Sequence, residues 1–216
     1  MFGQCLVTPT LLDSFEFAAN APASWKNTAK KDLLAKIRRE EIKYPDWVTW
    51  GMEFENKVYE VCRNLNNEEE INNLQSSDHF KDVVKSCYGG QFQQKLKRNM
   101  QIDEDKVFLF GFSDVEFTDY TLDIKTTMNY KGPQKYLTKA QHLMYLYMNG
   151  KSKFEYLVVE WKAGKEKEIN NVYSIHYSND DQNDLENQII AKIRSLFKYL
   201  RDNNLWNDYY LTFSKN

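Results

Sequence analysis

A structural zinc site or an iron–sulfur cluster needs closely spaced cysteines. This sequence has only Cys5, Cys62 and Cys87, far apart and without a C-x-x-C pair, so neither is expected. Their odd number and wide spacing read as free thiols of a reducing compartment. There is no run of about 18 apolar residues and no basic-then-apolar leader, which argues against a membrane span and a signal peptide. A soluble, cytoplasmic setting is expected (host cytoplasm for a viral protein). A basic excess is missing too: 29 Lys and Arg against 31 Asp and Glu give a formal charge of −2. A nucleic-acid partner would have to meet a local basic groove rather than a uniformly positive surface. Glycine and proline are few, 8 and 4 in 216 residues, and no repeat, low-complexity tract or strong linker divides the chain. With 42% hydrophobic residues it can bury a good core. One domain is expected over 1–216: an N-terminal helical part (1–45), a core (46–203) and a C-terminal tail (204–216).

What is present is a change of period along the chain. Thr8-Pro9-Thr10 before Leu11-Leu12 predicts a capped helix over 8–20. A charged helix follows over 23–43, with Leu33, Leu34 and Ile37 inward. Another opens at Asp46-Trp47, where Trp50, Phe54, Val58 and Val61 recur at helical spacing. The polar stretch 64–77 reads as a loop, and 78–86 as a short helix ended by Gly89-Gly90. From Gln91 the period becomes two, predicting strands over 91–100, 107–117 and 121–128. A helix is expected over 134–148, closed by Asn149-Gly150. Strands over 154–161 and 169–177 would join around Ala163-Gly164-Lys165. The clearest amphipathic helix is 183–203, with Leu185, Ile189, Ile193, Leu196 and Leu200 on one stripe. This order predicts an α/β sandwich: helices flanking a central mixed β-sheet.

The 107–128 hairpin carries the chemistry. Val115, Phe117, Leu122 and Ile124 share a side only if opposed residue numbers sum to an odd value. A two- or four-residue connection around Asp119-Tyr120 does this, setting Glu116 against Asp123 and Asp114 against Lys125. Asp114, Glu116, Asp123 and Lys125 are then forced onto one patch. Three carboxylates around one ammonium repel one another unless a cation sits among them.

Gly111-Phe112-Ser113-Asp114, followed by Asp123-Ile124-Lys125, resembles the core of the PD-(D/E)XK nuclease superfamily. Ser113 stands where the family has proline, a departure shared by RecB-like and lambda-exonuclease-like members. Gly51-Met52-Glu53-Phe54-Glu55 resembles the G-x-x-x-E element of the lambda-exonuclease and YqaJ-type branch. Thr126 extends the core to D-x-K-T, and Gln141-His142-Leu143-Met144-Tyr145 resembles the Q-x-x-x-Y element. The resemblance spans residues 50–160. It implies a restriction-endonuclease-like α/β core with an N-terminal helical elaboration, and a Mg²⁺-dependent DNA nuclease for which Mn²⁺ substitutes. Exonuclease action in recombination, repair or phage DNA processing is the first expectation. A restriction-type endonuclease, or a catalytically silent nucleic-acid-binding module on the same fold, is the alternative.

The roles follow by position. Asp114, Asp123, the Ile124 carbonyl and Glu55 supply hard oxygen ligands suited to Mg²⁺. Lys125 can orient water or offset charge, and Gln141 and Tyr145, four apart on one helix face, hold the site or touch the backbone of the DNA. Lys95, Lys97 and Arg98, with Thr126, are the candidate phosphate contacts, though an edge-strand charge run is an equal reading of the first three. Glu116 is a structural carboxylate or a further ligand; Glu53 rivals Glu55 but falls on the wrong side of Phe54. His142 and His176 lack partners at ligand spacing, and the aromatic tail 206–213 reads as core or an oligomer contact. DNA is the expected partner, with no membrane. A homo-oligomer and a recombination or annealing partner protein are compatible with the resemblance.

Overall fold

Thr8 begins the first helix by accepting the Leu11 amide on its hydroxyl, with Pro9 in the opening turn of α1 (Pro9–Asn20). The computed structural model describes residues 4–42, 45–163 and 168–213. Just before α1 lies a strand that the periodicity had no room to reveal, β1 (Cys5–Val7). Helix α2 (Lys26–Arg38) is shorter than expected because Arg39 turns left-handed, φ 54°, and stops it. Helix α3 (Asp46–Asn64) buries Phe54 and Val58, and α4 (Asp78–Cys87) starts on a Ser77 cap. The polar stretch between them is not a plain loop. A 3-10 helix, Glu68–Asn73, capped by Asn67, tucks Ile71 into the core.

Five longer strands follow with two helices among them: β2 (Gln91–Ile102), β3 (Asp105–Glu116), β4 (Tyr120–Thr127), α5 (Gln134–Leu137), α6 (Gln141–Asn149), β5 (Lys153–Trp161) and β6 (Ile169–Ser178). The single helix expected over 134–148 is thus two. At the junction the Ala140 amide donates to Asp13 Oδ1 at 2.8 Å, a partner supplied by α1. The β5–β6 turn at 163–165 falls largely outside the described residues. The chain closes with α7 (Gln182–Asp202) and α8 (Trp206–Phe213), so the expected tail is helical. Tyr209 of α8 donates to the Leu6 carbonyl of β1, and Asp208 pairs with Arg38 of α2. The N-terminal part is therefore not purely helical: its strand belongs to the central sheet.

The sheet is mixed and six-stranded. β2 runs antiparallel to β3 along its whole length. The other edge of β3 is shared: β1 pairs with it in parallel at residues 107–109, and β4 pairs antiparallel at 115–116. Between these contacts β3 has no strand neighbour on that edge among the described residues. β5 continues parallel to β4, and β6 antiparallel to β5. One core, with α1, α2, α6 and α7, fills one face; a second, with α3 and α4, fills the other. The α/β class read from the sequence is the class observed.

Candidate active site

The facing of β3 reverses at its gap. Val107 and Leu109 pack into the first core, whereas Val115, of the same parity, packs into the second. Across the ladder, Phe92 meets Val115 and Gln94 meets Ser113, bracketing Gln93 and Asp114, which are not themselves paired. Gln93 has φ 54°, a left-handed conformation costing a non-glycine residue about 1–2 kcal/mol. Asp114 emerges where this irregularity opens the sheet toward β4, and its Oδ2 accepts the Ile124 amide at 2.9 Å.

The hairpin register differs from the expected one by two residues. Glu116 faces Thr121, not Asp123, and the Phe117 amide closes the turn on the Tyr120 carbonyl. The odd sum survives, so Val115, Leu122 and Ile124 share the second core as the pattern required. Glu116, however, leaves the patch. Thr121 and Asn149 donate to its carboxylate, and Lys151 forms an ion pair with it.

Four groups remain together. Asp123 is 1% exposed; its Oδ1 accepts Gln141 Nε2 at 2.5 Å, and its Oδ2 lies 2.5 Å from Lys125 Nζ. Oδ2 thus has the Lys125 ammonium as its partner. Glu55, half-buried on α3, stands in the same field, while Glu53 is exposed on the outer side of the helix beside Trp50 and Lys57. Burial pushes Asp114 well above the usual carboxylate range, and Asp123 beside it adds to this. Burial raises Asp123 as well, against the pull of Lys125. Glu55 is raised to about 7, by burial first and by Asp123, with Lys125 opposing. For Lys125, 28% exposed, burial works against the charge but is outweighed by Asp123, Asp114 and Glu55, which together raise it. Burial and mutual repulsion thus favour the protonated forms of these acids, with the Lys125 ammonium opposing this.

Close packing sets the site's walls. A methyl group on Gly51 would come within 2.5 Å of Thr126 Oγ1, so α3 lies against the end of β4 at a distance that any larger residue would force the Thr126 side chain or the helix to give up. On the other side, a Cβ at Gly111 would meet the Tyr145 ring at 2.8 Å. Tyr145 OH donates to the Phe112 carbonyl at 2.6 Å, giving a partner to backbone that the gap leaves without a strand. Gln141 and Tyr145 thus act on different residues, one on Asp123 and the other on β3. Arg98 belongs elsewhere: its guanidinium donates to the Tyr147 carbonyl and stacks on that ring at 3.7 Å, tying β2 to α6. Lys95 and Lys97 are exposed on the opposite face of β2. The Ile124 side chain is core, and Thr126 is half-buried. His142 is buried against Tyr156 OH at 3.0 Å; His176 lies on β6 near Glu155.

Two contributors escaped the sequence reading. Asp13 holds both the Ala140 amide and Lys139, fixing the start of the helix that presents Gln141. Gln93, whose amide donates to Tyr59 OH, carries the left-handed turn opposite Asp114. Neither has a local signature, since an ordinary Asp and an ordinary Gln acquire these roles only through distant partners.

Several carboxylates in one place raise the question of a cation. Among the described residues, no three His, Cys, Asp or Glu side chains are arranged as a ready-made cage. The donor chemistry nevertheless suits a hard ion: the side chains are carboxylates, their oxygens are hard ligands, and their mutual repulsion is what a cation would relieve.

No family profile and no curated protein matches the chain. Solved structures do. An alkaline exonuclease from Laribacter hongkongensis is similar at 11% identity over 94% of each chain, TM-score 0.45. The same enzyme in complex with dAMP gives 12% over 92% of each, TM-score 0.47. A phage-related exonuclease from Haemophilus somnus 129PT gives 8% identity over 89% of this chain and 94% of its own, TM-score 0.49. These likenesses concern the course of the chain. The α/β architecture is the one that the PD-(D/E)XK resemblance implies.

Proposed function

We propose that this chain is a nuclease, a phosphodiester hydrolase acting on DNA, and in finer detail a Mg²⁺-dependent exonuclease. The observation that carries the reading is the convergence of Asp114, Asp123 and Glu55 around Lys125 at the gap in β3, where burial raises the proton affinity of all three acids and repulsion from Asp123 adds to it at the other two. Acids perturbed by burial together with named charge partners are candidates for a functional site. Glu55, Asp114, Asp123 and the Ile124 carbonyl would hold the cation, Mn²⁺ substituting for Mg²⁺. When bound, such an ion gathers phosphate oxygens and acidifies a water.

The remaining chemistry belongs to the side chains. Lys125 now spends its charge on Asp123. Released from that pairing, its ammonium is positioned to orient the attacking water or to offset charge gathering on the phosphoryl oxygens. Gln141 fixes the Asp123 carboxylate through Oδ1, with Oδ2 turned to Lys125. Tyr145 keeps the Phe112–Asp114 segment of β3 at its height through the Phe112 carbonyl. Lys95, Lys97 and Thr126 are the phosphate contacts in this reading; Arg98 is not, because Tyr147 engages it. No helix among the described residues is long and apolar enough to cross a membrane, consistent with a DNA substrate met in solution. Recombination, repair or phage DNA processing is the corresponding setting, with self-association and an annealing partner protein compatible with it.

Incubation with linear DNA labelled at the 5′ or the 3′ end, beside closed circular plasmid and with or without Mg²⁺, tests the reading. Stepwise loss of label from linear DNA alone, dependent on Mg²⁺, is expected. Cutting of the circle would move the assignment to an endonuclease. Binding without any cleavage in Mg²⁺ or Mn²⁺ would make the chain a silent binding module.

A further inference from the structure

Beyond the gap, the β2–β3 ladder bears a row of aromatic rings on its open face. Phe108, Phe110 and Phe112 alternate along β3, and the register sets Lys97 opposite Phe110 and Lys95 opposite Phe112. Cross-strand partners share a face, so rings and ammonium groups stand side by side. Phe112 is 49% exposed, the other two rings are half-buried, and both lysines are exposed. Consecutive ring centroids are 6.1 and 5.3 Å apart, and Lys95 Nζ sits 5.2 Å from the Phe110 ring. Lys106 extends the row past Phe108 on the same alternation. Asp105, of the opposite parity, turns instead to Arg201 on the other face. The row ends two residues from Asp114.

Exposed rings are costly to leave in water unless something covers them, and here the cover must also suit lysines. We infer that this face is a platform for a single strand of nucleic acid, its bases on the phenylalanines and its phosphates on Lys95, Lys97 and Lys106. Rings interleaved with basic side chains are the features by which proteins hold unpaired strands, because every base has a π-face. Duplex is a poor fit. Its bases stack about 3.4 Å apart and face inward, whereas rings spaced well beyond that need separated, outward-turned bases. The platform rests on the nuclease reading and deepens it: an unpaired strand lying along β3 would be led to Asp114.

Binding of a fluorescein-labelled oligothymidine of about 15 nucleotides, followed by anisotropy on the full chain in EDTA, separates the two ideas because no cleavage is then involved. Phe110→Ala is expected to weaken binding between about 5-fold and about 150-fold, the range for loss of one stacked base, with the salt dependence unchanged. Phe110→Trp should restore it. The Lys95→Ala/Lys97→Ala pair, at two exposed positions, should lower the slope of log K against log salt by about 1.4, at about 0.7 for each phosphate no longer neutralised. Folding of each variant is checked by circular dichroism. Wild-type affinity in folded Phe110→Ala, or an unchanged salt slope in the lysine pair, overturns the platform. So does a shift from dimer to monomer in sedimentation on Phe110→Ala, which would make the face a self-interface. Wild-type cleavage beside unaffected single-strand binding would sink the platform and spare the nuclease; normal binding without cleavage would do the reverse.

Discussion

Asp114 and Glu116 sit two residues apart on one strand, both acidic and both assigned by alternation to one patch, yet the fold treats them oppositely. Glu116 receives the Thr121 hydroxyl, the Asn149 amide and the Lys151 ammonium, itself also bound to the Phe117 carbonyl at 2.5 Å. Asp114 receives the Ile124 amide and must bear Asp123 beside it, which drives its proton affinity up. A satisfied carboxylate is a structural part. One kept in repulsion is retained for something the chain itself does not supply, and that contrast, rather than acidity, separates candidate ligand from strut.

The contrast can be broken most severely at Asp123. Asp123→Asn keeps the shape and the Gln141 contact but removes the charge, so cleavage should fall by about 10³-fold or more with folding intact. Turnover near wild type in millimolar Mg²⁺ would refute the site. Glu116→Ala should do the opposite. It strands Lys151, only 18% exposed, and should cost about 3 kcal/mol in urea melts with the rate per folded molecule preserved. A comparable loss of rate without loss of stability would return Glu116 to the site. Lys125→Ala is expected to lower the rate by about 10²-fold while Mn²⁺ binding, read by calorimetry, persists, since an ammonium is no ligand. Joint loss of rate and metal would make Lys125 a structural counter-ion.

A milder test uses pH. Glu55 gives up its proton near 4.5 in the unfolded chain but near 7 in the fold. The native state therefore holds the extra proton between those values. The stability due to Glu55 is fully present below 4.5 and is withdrawn as pH rises to about 7. Without metal, the melting temperature of wild type should decline across that window more than that of Glu55→Gln. Cation affinity should move the other way, strengthening with pH up to about 7, because the ligand must be ionised. Identical pH profiles for wild type and Glu55→Gln would detach Glu55 from the site.

Much of this arrangement was legible in the sequence. The change of period at Gln91 marked the β2–β4 meander, and the stripe from Leu185 to Leu200 marked α7, because both patterns repeat over many residues. Strand β1 is three residues long, too short for any period to show. The break before α6 has no proline or glycine, and it depends on Asp13, far back in the chain. The hairpin parity followed from apolar alternation, but the two-residue shift follows from a turn closed between Phe117 and Tyr120, which alternation does not specify. Asp114, Asp123 and Lys125 could be put on one patch from alternation, and Glu55 was added by the resemblance alone. That Glu116 would be drawn away depended on Lys151 and Asn149, whose positions only the folded chain determines.

Gly51 has one more consequence. Helix α3 can approach β4 because that position lacks a single methyl group, and Glu55 rides on the same helix one turn later. The approach of α3, and with it the reach of Glu55 toward the sheet, is set where the Thr126 side chain fills the space that a Cβ at position 51 would need. Ligand oxygens lie at about 2.0–2.1 Å from Mg²⁺ and at about 2.3–2.6 Å from Ca²⁺. In the proposed metal site, the helix-to-strand spacing set at this contact would bear on which ionic radius fits. Discrimination between the two commonest divalent ions of a cell would then rest on a residue with no side chain at all.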